Sequence, residues 1–148
     1  MTSQESRTSL GHRLIQLGVL LFLLGLLTGF ALPMMQAPRL GLSSHLEGVM
    51  NGMFLIGVGL LWPRVRLGAG MRRAAFWLAV YGTYANWVAT LLSGLWGAGA
   101  MMPLAGGGAT GTASQELIMM VLLVSLAGAM LAVCVLLLVG LRAGATEQ

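Results

Sequence analysis

Four long apolar runs constrain this chain more than any other feature. Residues 14–32, 45–62, 74–95 and 116–141 are almost free of charge, and each approaches the roughly 20 residues that a helix needs to cross the hydrocarbon of a bilayer. Inside lipid every backbone N–H and C=O must find a partner within the chain, which leaves helices and closed barrels. The runs lack the alternation of barrel strands, so all four are expected to be helices. Pro33 and Pro38 bracket the first loop, Pro63 with Gly68 and Gly70 opens the second, and Pro103 with Gly106 to Gly108 occupies the third. Proline and glycine end helices for steric and entropic reasons. The expectation is an all-α integral membrane protein, a single four-helix bundle over residues 1–148 with no separate soluble domain.

Charged residues orient the bundle. They make up 8% of the chain, with no Lys or Asp, against 57% hydrophobic, a balance that excludes an ordinary soluble core. With four spans, the N-terminal tail, second loop and C-terminal tail share a side. They hold Arg7, Arg13, Arg64, Arg66, Arg72, Arg73 and Arg142, and the other side has only Arg39. Positive loops stay cytoplasmic, so both termini are expected there, with the first and third loops outside. The net charge of +4 follows from this rule, and nucleic acid is not needed as a partner. Arg7 and Arg13 before an apolar run also suit a secretory signal, but the run is too long and three more spans follow. Cys134, the sole cysteine, is expected to pack as a small apolar residue.

Polar residues within the spans are costly and point to function. His45, Glu47 and Asn51 stand at the expected mouth of the second span. Ser44 with Glu47 has the form of a capping box, and the other reading of Glu47 is a carboxylate that orients His45 or a substrate. Glu47 and Asn51, four apart, share a face; His45 and Asn51 would border one flat ligand lying along the helix. A lone histidine in this position serves more often as an interfacial hydrogen-bonding group than as a metal ligand. Thr83, Asn86, Thr90 and Ser93 form one stripe of the third span, where interhelical hydrogen bonding accounts for all but Asn86, an amide that needs several partners. Tyr81, Tyr84 and Trp87 surround it. Gly25 with Gly29, and Gly48 with Gly52, read as close-packing pairs, and Gly106 to Gly108 as a mobile outer loop.

The run Pro38-Arg39-Leu40-Gly41-Leu42-Ser43-Ser44-His45-Leu46-Glu47-Gly48-Val49-Met50-Asn51-Gly52, followed by Tyr81-Gly82-Thr83-Tyr84-Ala85-Asn86-Trp87, resembles the hydroxylaminobenzene mutases of nitroaromatic degradation over most of the chain. The helix order and the His-x5-Asn-Gly motif also resemble the membrane styrene oxide isomerases. The resemblance implies small bacterial inner-membrane subunits that assemble as homotrimers and bind haem b between subunits, with His45 as axial ligand. It implies ferric iron acting as a Lewis acid on a small aromatic substrate, giving a 2-aminophenol in the mutase branch and an aldehyde from an epoxide in the isomerase branch. Asn51 would contact the substrate. Glu47 has no acidic counterpart in the isomerase branch, which favours the mutase. Thr90 stands where the isomerases carry a functional tyrosine, a role that Tyr84 would have to fill from another turn. His12, the only other histidine, is expected a bilayer thickness from His45, which leaves the iron an open site.

Two further classes stand beside this reading. A channel or small transporter should show a longer water-lined polar path. A structural subunit of a larger complex would use His45 and Asn51 only to bond neighbouring helices.

Overall fold

The computed structural model describes residues 3–145, with side chains from residue 9 to residue 142. The chain ends and the Arg7 side chain, on which part of the expected orientation rests, lie outside the described residues. Four long helices, α1 (Ser3–Ala31), α2 (Pro38–Leu61), α3 (Ala69–Trp96) and α5 (Ala113–Ala145), are joined by short turns and a one-turn helix α4 (Pro103–Gly106). No strand occurs among the described residues. By length and composition α1, α2 and α5 can each cross a membrane; α3 is long enough, but Asn86, Tyr84 and the Thr/Ser stripe dilute its apolar character.

The helices start earlier than the apolar runs. Pro38 opens α2, where its missing N–H is no loss and its fixed φ suits the first turn. The helix therefore begins two turns before His45, placing the histidine about 10 Å inside it at 1.5 Å per residue rather than at its mouth. Gly97 ends α3 with a left-handed φ of 66°, a conformation that glycine adopts without strain.

The four long helices pack in the order α1–α2–α3–α5, each antiparallel to the next. α1 also touches α3, and among the described residues α5 packs on α3 and on the turn Trp62–Arg64 but not on α1 or α2, so α5 stands at one edge of the bundle. The α1–α2 seam is built on glycine. Gly11, Gly18 and Gly25 recur every seven residues on α1 and face Gly59, Gly52 and Gly48. A methyl group at Gly25 would lie 2.6 Å from the Val49 nitrogen, so backbones touch here as small-residue helix interfaces require. Flanked by α2 and α5, α3 can bury Thr83, Thr90 and Ser93.

Two clusters fill the bundle: Leu14, Leu21, Leu55, Trp62 and Phe76 toward the arginine-rich end, and Ala85, Ala89, Met119 and Leu126 between α3 and α5. Cys134 is exposed on the outer face of α5, beside Leu131 and Val135, and does not pack within the protomer. The glycine-rich third loop is pinned: the Glu116 carboxylate accepts N–H bonds from Ala100 and Gly111. A capping box does occur in this chain, at Thr112 and Gln115 ahead of α5.

Candidate functional site

His45 leans on α1. Its Nδ1 lies 2.8 Å from the Gly25 carbonyl oxygen. A carbonyl only accepts, so Nδ1 carries the proton and the lone pair is left on Nε2, the arrangement found in metal-ligating histidines. The ring is seated in a notch at Gly29, where a methyl group would come within 2.9 Å of Nδ1 and 3.3 Å of Cε1. Gly25 and Gly29 thus divide their work. Gly25 packs on α2, and Gly29 makes room for the imidazole. The spacing of the pair was legible in the sequence; the ring that one of them faces was not.

Glu47 leans the other way, on α3. Its Oε2 accepts Nδ2–H bonds from Asn86 at 2.7 Å and Asn51 at 2.9 Å. The capping-box reading of Glu47 fails because Ser44 sits inside the helix, where its hydroxyl donates to the Trp87 carbonyl at 3.2 Å. With both amide nitrogens turned to the carboxylate, each asparagine presents Oδ1 to its surroundings. Glu47 Oε1, Asn51 Oδ1 and Asn86 Oδ1 are then a set of acceptors, suited to a ligand that donates N–H or O–H.

Two residues apart on one helix, His45 and Glu47 point about 160° apart. Ser44, Gly48 and the largely buried Asn51 fill the face between them. Asn51 belongs to the Glu47 flank, so a single chain does not bring His45 and Asn51 to one flat ligand, contrary to the expectation from spacing.

The remaining candidates divide. Asn86 reaches across to α2. Thr83 and Thr90 instead donate back to their own helix, to the carbonyls of Ala79 and Asn86, the usual outlet for a buried hydroxyl on a helix. Ser93 alone of the three bonds another helix, through the Met119 sulfur at 3.1 Å. Tyr84 donates its hydroxyl to the Leu17 carbonyl at 2.9 Å, two turns of α1 away from Gly25, and is not part of the Glu47 cluster. Trp87, expected beside Asn86, donates Nε1–H to Thr28, whose hydroxyl bonds the Leu24 carbonyl. This bridge ties α3 to α1 beside the His45 notch.

No group of three or more His, Cys, Asp or Glu among the described residues forms a metal cage. A single histidine with a bare, fixed Nε2 suits a metal whose other ligands come from a macrocycle. His12 lies on α1 about 25 Å along the axis from Gly29, so among the described residues His45 is the histidine that would hold such a group.

The styrene oxide isomerase family model matches residues 10–142. A hydroxylaminobenzene mutase, HabB, of Ectopseudomonas oleovorans is 66% identical over 140 residues, covering 94% of this chain and 85% of the relative. The mutase HabA of the same organism is 47% identical over 125 residues, covering 84% and 93%. No solved structure matches the chain. These likenesses set aside the channel and structural-subunit readings. The chain belongs to the styrene oxide isomerase family and is an enzyme of the isomerase class.

Proposed function

We propose that the protein rearranges hydroxylaminobenzene to 2-aminophenol with haem b held by His45. The observation that carries the reading is the fixed imidazole, with Nδ1–H on the Gly25 carbonyl and Nε2 bare. When bound, ferric haem would supply an open Lewis-acid position for the substrate oxygen. The rearrangement moves a hydroxyl from nitrogen to the ortho carbon with no change of composition. A base must therefore take a ring proton and an acid must return one to nitrogen. Glu47 is the only carboxylate in the cluster, and Asn51 and Asn86 hold it in place.

The choice of mutase over epoxide isomerase rests on the acceptor set. Hydroxylaminobenzene donates N–H and O–H bonds, whereas an epoxide oxygen only accepts and would leave those acceptors unmatched. Both relatives' names point the same way. The opposed flanks of α2 favour a homotrimer in which His45 of one subunit and the Glu47 cluster of the next line one aromatic-binding space. Four spans in a bacterial inner membrane, with both termini cytoplasmic, complete the reading. Reporter fusions near Gly107 and at the C-terminus should then give opposite signals, and like signals would remove it.

The direct test is the visible spectrum of the purified protein together with turnover of hydroxylaminobenzene and styrene oxide in the same membranes. A stoichiometric Soret band, lost in His45→Ala and kept in His12→Ala, is expected. Faster turnover of styrene oxide would turn the proposal to the isomerase branch, and no Soret band would remove haem from it.

A further inference from the structure

Opposite the Glu47 cluster, at the arginine-rich end, a cavity of about 340 Å³ opens between the starts of α1 and α3, lined by Arg13, Arg72, Arg73 and Phe76. Arg72 is only 8% exposed, yet no described residue pairs with its guanidinium. Its nitrogens are not sealed by protein, so they open on the cavity that the residue lines. The two carboxylates whose side chains are described are committed elsewhere, Glu47 to asparagines and Glu116 to loop amides. Three cations thus converge at the N-terminus of α3, where the helix dipole adds further positive potential. A desolvated cation without a counter-charge is costly, and an anion in this space relieves all of these charges at once.

A second space of about 380 Å³ shares Arg13, Phe76 and Trp77 with the first and runs on past Leu17, Leu20 and Val80. Apart from Arg13 and Gln16 its walls are apolar, and it follows the α1–α3 groove toward the middle of the helices. A charged mouth continuous with an apolar groove has the chemistry of a phosphate carried on a hydrocarbon chain. We propose that this end of the molecule binds an anionic phospholipid, with the phosphate between Arg13, Arg72 and Arg73 and an acyl chain along Leu17, Leu20 and Val80. Arginine forks match phosphate oxygens, and basic clefts between helices at a membrane's cytoplasmic face are suited to such headgroups. Free phosphate would fill the mouth and leave the groove bare.

The full-length protein in detergent would be titrated with dioleoylphosphatidylglycerol, dioleoylphosphatidylcholine or inorganic phosphate and read by native mass spectrometry. One phosphatidylglycerol per chain is expected, preferred over phosphatidylcholine and not displaced by equimolar inorganic phosphate. Arg72→Gln and the exposed Arg13→Gln should each weaken binding about fivefold or more. Arg64→Gln, exposed at the same end but outside the cavity, should leave it unchanged. An equal loss in Arg64→Gln would mean diffuse attraction and overturn the site. Equal affinity for the two lipids would overturn charge recognition, displacement by inorganic phosphate would overturn the lipid, and a cross-link from residue 77 to a second copy in place of lipid would give the groove to a subunit. Should Arg72→Gln fail to fold, Arg13→Gln against Arg64→Gln decides the matter.

Discussion

The imidazole of His45 fills the space that a methyl group on residue 29 would need, 2.9 Å from Nδ1. Gly29→Ala should push the ring off the Gly25 carbonyl and release its fixed tautomer, although alanine is the better helix former by about 1 kcal/mol. The expected result is less haem per chain and a shifted Soret band. Gly57→Ala, with nothing within 4 Å of the added carbon, is the control and should keep both. Wild-type haem and spectrum in Gly29→Ala would show that the notch does not set the ligand.

Glu47, Asn51 and Asn86 are joined at one oxygen, so their substitutions should not add. Glu47→Gln should retain haem and lower turnover about a hundredfold or more, the usual range for a general acid or base. Asn51→Ala and Asn86→Ala should each retain haem and slow turnover. The double variant should fall short of the sum of the two losses by at least about 0.5 kcal/mol, because each loss acts through the same carboxylate. Turnover per haem in membranes with matched protein amounts measures this. Strict additivity would mean that the asparagines act independently of Glu47.

Much of this architecture was legible in residue order, and the limits have physical causes. Apolar runs and Pro/Gly breaks located the long helices, but hydropathy marks where lipid begins and not where hydrogen bonding does. That is why α2 starts at Pro38 and not at His45, and why Ser44 could be mistaken for a cap. Spacing put Glu47 and Asn51 on one face, and their contact follows from local geometry. The bond from Asn86 to Glu47 joins positions 39 apart, which helical periodicity cannot register. The same holds for His45 on the Gly25 carbonyl, since a backbone acceptor leaves no mark in a side-chain pattern.

Tyr84 provides a contrast between structural and chemical roles. Its hydroxyl donates to the Leu17 carbonyl, a neutral hydrogen bond worth about 1 kcal/mol net. Tyr84→Phe should lower thermal stability by that order and leave turnover per haem within about twofold. A loss of a hundredfold at unchanged stability would place the hydroxyl at the substrate instead.

The opposed flanks of α2 make the trimer testable without a structure of it. His45→Ala and Glu47→Gln should each be inactive alone, the first for want of haem and the second for want of a proton carrier. If His45 of one subunit works with Glu47 of the next around a threefold axis, every trimer containing both variants has one junction where an intact His45 meets an intact Glu47. Random mixing at equal expression makes about three-quarters of trimers mixed, each with one working site in three, so about a quarter of wild-type activity should return on co-expression. If both residues served a site within one chain, no subunit would carry an intact pair and activity would stay at zero. Haem content is the control and is the same in the two cases, because the Glu47→Gln subunits keep His45 in either. Restored haem without restored turnover would therefore locate the site within the protomer.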